Sequence, residues 1–474
     1  MAKKAIEFLE KIQVHGTGAK GKAIGRAEDG KVVFMDYAAP GDVVDVQVTV
    51  SKRNYYEGRI VAVHSFGEGR TEPVCAHFGV CGGCKWQHLS YAQQLELKTK
   101  EVVENIRRIG GVEPEEILPI VPSEKSYGYR NKMEYSFSNK RWYSREDLES
   151  GMELTEMPAA GFHAPKVWDK VVQIDHCHLQ EETGNRIRNW VFAHAQENGL
   201  SFYDARAHHG MMRSIMLRNN RKGQWMVVFQ FGENKKAEIK ALLNKLQIKF
   251  PEITSLQYAI NTKMNDSWYD LDIKLHSGAT EIEETMQAPG REAALRFTIG
   301  AKSFYQTNPE QAEKLYTAAT EMAGLSGKER VYDLYTGTGT IAQFVAHRCK
   351  EVVGIESVPQ AIENARENCK LNDVSNCRFE VGDMRFAFSD DFLKKHGQPD
   401  VLITDPPRDG MHPKVVEQLL KIAPRRIVYV SCNSATQARD IALMKEAYTV
   451  KKVQAVDMFP QTFHVESVVM LEKK

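Results

Sequence analysis

Between about residues 8 and 65, short alternating or apolar runs are separated by turn residues. Lys-Val-Val-Phe-Met-Asp (31–36) and Asp-Val-Val-Asp-Val-Gln-Val-Thr-Val (42–50) read as strands, punctuated by Gly-Thr-Gly (16–18), Asp-Gly (29–30) and Pro-Gly (40–41). The pattern predicts a small β-barrel of the size of oligonucleotide-binding modules. A stretch rich in Gln, Glu, Leu and Lys from Tyr91 to Ile109 predicts a helix. From about 127 to 280, strand patterns such as Lys-Met-Glu-Tyr-Ser-Phe and Gln-Trp-Met-Val-Val-Phe-Gln-Phe mix with a helix near 234–246. This is a mixed α+β region without a catalytic motif of its own. From about 309 the rhythm becomes helix, apolar strand, Gly-rich turn, helix, strand ending in an acid, helix, strand. That alternation predicts a doubly wound, Rossmann-like α/β domain. Three parts follow: a barrel over 1–68, a central domain over 69–300 and the α/β domain over 301–474. No internal repeat is present, which excludes a solenoid or propeller.

Composition narrows the class. The chain has 474 residues, 42% hydrophobic and 26% charged, as in an ordinary globular protein. No apolar run approaches the ~20 residues that span a bilayer, so no membrane association is expected. The first residues, MAKKAIEFLEKIQ, carry charges where a secretory signal keeps its apolar stretch. Eight cysteines are too few for a disulfide scaffold, and a cytoplasmic location is expected. Lys plus Arg is 63 against 62 for Asp plus Glu, so no global field advertises a nucleic-acid partner. Local clusters would have to do this: Lys52 with Arg53, Tyr129 to Lys132, Arg213 to Lys222, and Arg425 with Arg426. Solvated surface is the bland alternative for each.

The glycine motif gives the first chemistry. Val-Tyr-Asp-Leu-Tyr-Thr-Gly-Thr-Gly-Thr-Ile-Ala (331–342) places a strand before Gly337-x-Gly339 and a helix after it. Glycines let the backbone approach a ligand closely. Glu356, ending the next strand, is placed to accept hydrogen bonds from ribose hydroxyls. With Ala342 in third place the pattern also satisfies a dinucleotide fingerprint, which leaves a nicotinamide-dependent oxidoreductase as an alternative. Three features favour S-adenosylmethionine instead: Asp333 four residues before Gly337, Gly382-Asp383 after the third strand, and Asp405-Pro406-Pro407 at the mouth of the fourth.

Arg-Ile-Val-Tyr-Val-Ser-Cys-Asn (426–433) delivers Cys432 to the same edge of the predicted sheet. Carbon 5 of a uracil is too weak a nucleophile to take a methyl group directly. A thiolate added at carbon 6 creates an enolate that can, and a base must then remove the carbon 5 proton. Glu466, before the last apolar strand, is the candidate base, with a plain strand-edge carboxylate as its alternative. A lone cysteine is otherwise a small buried hydrophobe, the reading given to Cys349, Cys369 and Cys377.

Together these residues resemble the RNA uracil-5-methyltransferase family over nearly the whole chain. Phe-Tyr-Gln-Thr-Asn (304–308), Asp-Leu-Tyr-Thr-Gly-Thr-Gly, Gly-Ile-Glu, Asp-Pro-Pro-Arg, Ser-Cys-Asn and His-Val-Glu fall in family order. The resemblance implies a cofactor set of Gln306, Asp333, Tyr335, Gly337, Gly339, Thr340, Glu356, Asp383 and Asp405 for S-adenosyl-L-methionine. It makes Cys432 the nucleophile and Glu466 the base. Thr336 departs from the pattern, since many members carry Cys there. The N-terminal barrel resembles the RNA-binding TRAM module.

Cys75-x5-Cys81-x2-Cys84 has metal-site spacing, with Cys177 as the obvious fourth ligand and His77, His88, His176 and His178 as competitors. Chemistry alone leaves zinc and iron–sulfur open. The resemblance implies a 4Fe–4S cluster, as in ribosomal-RNA-directed members, with a structural role. It thereby favours structured 23S ribosomal RNA over transfer RNA as the partner, with no obligate protein partner. A catalytically silent RNA-binding or ribosome-assembly factor is the alternative from another class.

Overall fold

The computed structural model describes residues 7–151 and 157–474. They group into two compact units. One comprises the chain up to Ser126, Glu321–Gly324 and Gln398–Lys474, and the other Tyr127–Thr320 and Leu325–Gly397.

In the first unit the expected barrel closes in the order Phe8–Thr17, Ala23–Arg26, Val32–Met35, Tyr55–Ser65, Val43–Ser51. Alternation places Ile12, Val14, Val33, Met35, Val44 and Val46 inside. The remainder is a sheet running Val401–Thr404, Arg426–Ser431, Glu466–Lys473, Tyr448–Val456 and Glu116–Val121. The first pair is parallel, as a doubly wound domain requires. Glu116–Val121 was not legible as a strand of this sheet, yet it pairs in parallel with Tyr448–Val456.

The predicted helix spans Tyr91–Arg108 and starts at Ser90, whose side chain accepts from the Gln93 N–H at 3.3 Å. Its inner face carries Lys98, fully buried and 2.6 Å from the equally buried Asp457. Burying both charges costs desolvation, which further hydrogen bonds must offset. Tyr91 donates to Asp457 at 2.8 Å, and Lys98 also donates to the Phe459 carbonyl at 3.1 Å. Gln94 both donates to the Gln461 side chain and accepts from the Gln461 N–H. The helix therefore grips residues 457–461, the segment that leads into Glu466.

The second unit holds a seven-stranded sheet, ordered Lys274–Gly278, Ile253–Ile260, Trp225–Phe231, Met212–Asn219, Lys132–Ser138, Ala159–His163, Val171–Gln173. Its core includes Ile187, Val191, Phe229, Leu242 and Leu246. The helix expected near 234–246 is Lys236–Lys249. The unit also contains the parallel strands Arg330–Leu334, Glu351–Glu356 and Cys377–Val381, with helices Thr340–Ala346 and Pro359–Leu371 between them. The doubly wound α/β expectation holds.

The basic run Arg213 to Lys222 is corrected by the structure. Met212–Asn219 is buried at every position. Arg213 donates to Asp266 at 2.8 Å and to the carbonyls of Asn261, Lys263 and Asn265, and Arg218 donates to those of Gly300 and Ser303. Arg221 and Lys222 pair with Glu313 and Glu283. These cations hold the fold, because a buried guanidinium needs its donors satisfied. Arg426 behaves likewise, pairing with Glu472 and donating to the Met322 and Ala323 carbonyls. Among the described residues no helix is long and apolar enough to cross a membrane.

Candidate active site

The first unit brings Asp405, Arg408, Cys432 and Glu466 together. Strand Val401–Thr404 ends at Asp405, and the parallel strand Arg426–Ser431 ends at Cys432. The antiparallel strand Glu466–Lys473 pairs Ser467 with Ser431, so Glu466 enters the sheet beside Cys432. Asn433 fixes the junction: its side chain accepts from the Ala435 N–H at 3.2 Å and donates to the Arg408 carbonyl at 3.1 Å. Thr436 donates to that same carbonyl at 3.1 Å. The loop after Pro407 is therefore pinned to the helix Ser434–Met444. Asp440 completes this by accepting from the Met411 N–H and the Tyr429 hydroxyl at 2.8 and 2.7 Å.

Burial dominates the electrostatics. Glu466 is 5% exposed. Desolvation and then the Asp405 charge push its carboxyl well above the usual range, with Arg408 opposing. Desolvation likewise raises Asp405 to about 7. Cys432 is half-buried and pushed up to about 11 by burial, then by Glu466 and Asp405, again opposed by Arg408. At neutral pH Cys432 holds its proton, burial disfavours the charged form of Glu466, and Arg408 opposes both shifts. Sequence reading gave Arg408 no role, although its place directly after Asp-Pro-Pro marks it. Its Nη2 lies 3.4 Å from Nδ1 of His464. A groove of about 1170 Å³ opens on Cys432, lined by Arg408, His464, Lys20, Arg26 and Phe34 among others.

The second unit carries the glycine loop. Tyr335, Gly337 and Gly339 all have positive φ, at 61°, 56° and 76°. Space around a Cβ at Gly337 is open to 4 Å, whereas at Gly339 it would meet Ala365 and Phe379 at 2.9 Å. Gly339 is thus glycine for packing, and Gly337 leaves room for a ligand. Glu356 accepts from the N–H groups of Gly337, Ser357 and Val358 at 3.3, 2.7 and 3.0 Å, and from the Ser357 hydroxyl at 3.0 Å. Asp333 is fully buried and accepts from Thr336. Thr340 Oγ1 lies 3.3 Å from that of Thr338. Gln306 is half-buried, and its carbonyl accepts from Asn131 at 3.2 Å. Asn131, read from sequence as part of an RNA-contacting run, instead holds Gln306 in place. Asp383 is engaged by Arg385, its carboxylate paired with the guanidinium. Room at Gly337 beside a hydrogen-bonded Glu356 suits a nucleoside with ribose hydroxyls.

The four candidate ligand cysteines are divided between the two units. Cys75, Cys81 and Cys84 lie half-buried in the first unit, with the Gly83 N–H donating to Cys81 Sγ at 3.5 Å. Cys177 lies in the second unit, its backbone held on both sides by Asn185 at 2.9 and 3.2 Å. None is in a disulfide. Among the described residues, no three His, Cys, Asp or Glu side chains gather as a metal ion requires. His88, a competing ligand in the sequence, is buried, donates toward the Ala38 carbonyl and is lowered to about 4 by desolvation.

Residues 271–474 match the family model described as tRNA (Uracil-5-)-methyltransferase, and residues 10–61 match the TRAM domain. Similar chains include an uncharacterized RNA methyltransferase of Bacteroides thetaiotaomicron, 49% identical over 457 residues, covering 96% of this chain and 99% of the relative. Another from Porphyromonas gingivalis is 48% identical over 467 residues, covering 97% and 99%. Among solved structures, the Pyrococcus abyssi tRNA (uracil-54, C5)-methyltransferase in complex with S-adenosyl-L-homocysteine superposes with a TM-score of 0.74 at 28% identity, covering 98% of this chain and 100% of that one. With the barrel, the glycine loop and the Cys432–Glu466 pair already in place, these likenesses agree over the whole length, and the chain belongs to the RNA uracil-5-methyltransferase family.

Proposed function

We propose that this protein transfers a methyl group from S-adenosyl-L-methionine to carbon 5 of a uridine in structured 23S ribosomal RNA, in the cytoplasm, through a covalent Cys432 adduct. The observation that carries this is Cys432 and Glu466 at the ends of paired strands, beside Arg408. Cys432 gives its proton to water, and the thiolate adds to carbon 6, pushing electrons onto the uracil carbonyl as an enolate. When bound, the cofactor supplies an electrophilic methyl group, which carbon 5 takes. Glu466 enters the next step as a carboxylate, its own proton having passed to solvent. The desolvation that raises its pKa makes that carboxylate a strong base for the carbon 5 proton. Expulsion of the Cys432 thiolate then restores the double bond. Arg408 offsets the anions formed along the way.

Gln306, Asp333, Tyr335, Gly337, Gly339, Thr340, Glu356, Asp383 and Asp405 are the proposed cofactor set, with Glu356 on the ribose. Functionally, residues 1–68 bind RNA, 69–300 extend the RNA surface and 301–474 carry the methyl transfer. Cys75, Cys81, Cys84 and Cys177 are kept as iron–sulfur ligands on the resemblance alone, and no step passes through them. Iron and sulfide analysis of anaerobically purified protein tests that assignment.

Transfer RNA is the second reading, favoured by the substrate of the Pyrococcus abyssi relative. RNA tritiated at uridine carbon 5 decides between them, since methylation expels the label into water. Release from ribosomal RNA alone supports the first reading, and release from transfer RNA alone the second. No release from either overturns both. Replacing Cys432 by Ala should cut turnover by about 10⁴-fold or more with cofactor binding intact.

A further inference from the structure

The second unit presents a face that the methyl-transfer machinery does not use. Three loops meet there. The Asn139 N–H donates to the Tyr203 carbonyl at 3.2 Å, the Trp142 N–H to the Val171 carbonyl at 2.8 Å, and the Ala164 N–H to the Lys170 carbonyl at 3.1 Å. Residues 139–144, 163–170 and 203–209 are thereby fastened into one surface at the Val171–Gln173 edge of the seven-stranded sheet.

Its chemistry is one-sided. Lys170 lies 5.9 Å from the Trp142 ring, Arg206 5.9 Å from Trp168, and Arg141 5.7 Å from Tyr143, each within cation–π range. Trp168 is 64% exposed, and Lys166, Arg206, His208 and His209 are exposed beside it. The two acids of these loops turn inward. Asp169 is 4% exposed and accepts from Arg206. Asp204 is 7% exposed and accepts from Asn139, Lys140 and the N–H groups of Arg206 and Ala207. What reaches solvent is cations interleaved with rings.

Cations meet phosphates, and exposed rings stack on unpaired bases, which is how single-stranded and looped RNA is gripped. We propose that the Lys140–Tyr143, Lys166–Lys170 and Arg206–His209 surface is an RNA-docking face that holds a looped segment of the substrate outside the Cys432 groove. This rests on the reading of the protein as an RNA methyltransferase. It also supplies what the buried Arg213 and Arg218 do not: basic side chains that RNA can reach.

The test uses the full chain and whichever RNA pool the wild type methylates in the tritium assay. Lys166→Glu with Lys170→Glu should raise the RNA Kd about tenfold and reduce the slope of log Kd against log salt by about 2. Trp168→Ala should weaken binding about tenfold with the slope unchanged, and Trp168→Phe should restore most of it. In the double Lys variant and Trp168→Ala, KM rises while kcat at saturating RNA stays at the wild-type value. Thermal midpoint and cofactor binding equal to wild type show that the fold is intact. Unchanged Kd, KM and slope overturn the docking face, while the function stands if the wild type methylates RNA. Variants normal on naked RNA but impaired on ribonucleoprotein particles also overturn it, reassigning the surface to a protein partner. A wild type that methylates no RNA removes the underlying reading instead.

Discussion

Glu356 and Glu466 sit at strand ends in different units and have opposite surroundings. Glu356 is ringed by donors, with three backbone N–H groups and a hydroxyl directed at its oxygens. Such a carboxylate is fixed in orientation and suits holding a ligand. Among the described residues none donates a hydrogen bond to the Glu466 carboxyl, which has only burial, the Asp405 charge and Arg408 around it. Its charged form is disfavoured by burial, and that cost becomes basicity when the proton leaves. One residue type thus serves two roles, set by whether donors or apolar protein replace water.

The contrast breaks most sharply at Glu466. Glu466→Gln should lower turnover by about 10³-fold while an RNA–protein adduct accumulates on denaturing gels, because the carbon 5 proton then has no acceptor. Intact turnover without adduct would remove Glu466 from the base role.

Next in size is the thiol beside it. With Cys432 raised from 9.0 to about 11, its thiolate fraction at pH 8 should be about 100-fold below that of an ordinary cysteine. Reactivity rises with pH until about 11, because the thiolate forms only as pH passes the raised value. Iodoacetamide labelling followed by peptide mass spectrometry at several pH values measures this, and rapid labelling at pH 7 would contradict it.

Glu356→Gln is a binding change by the same reasoning. Cofactor Kd should rise about tenfold with kcat nearly unchanged. A loss of kcat as large as that of Glu466→Gln would erase the distinction between the two carboxylates.

The smallest effect concerns Asp405. Its pKa rises from 3.8 to about 7, so its contribution to stability is intact below about pH 4 and is lost as pH rises through 7. Asp405→Asn should therefore raise the melting temperature by about 3 °C at pH 8 and leave it unchanged at pH 4, read by calorimetry. An equal shift at both values would show that ionisation is not the cause.

Much of the machinery is legible along the chain because it is contiguous. Strand, glycine loop and helix at 331–342, Asp-Pro-Pro after one strand and Ser-Cys-Asn after another each follow from local periodicity and turn chemistry. The barrel is legible for the same reason. The basic runs were not. Nothing in the order of residues reveals that Arg213 and Arg218 lie inside a sheet, while Trp168 and Arg206 come to the surface together.

Sequence by itself determined most of the elements, the family and the candidates for methyl transfer, since each depends on neighbours a few positions away. Tertiary structure decided which charges are buried and how they are protonated. Lys98 meets Asp457 across 359 residues of chain to hold the segment before Glu466, and Glu466 is desolvated by strands from separate stretches. Desolvation and ion pairing depend on what is near in space, and folding brings together groups that the chain keeps far apart.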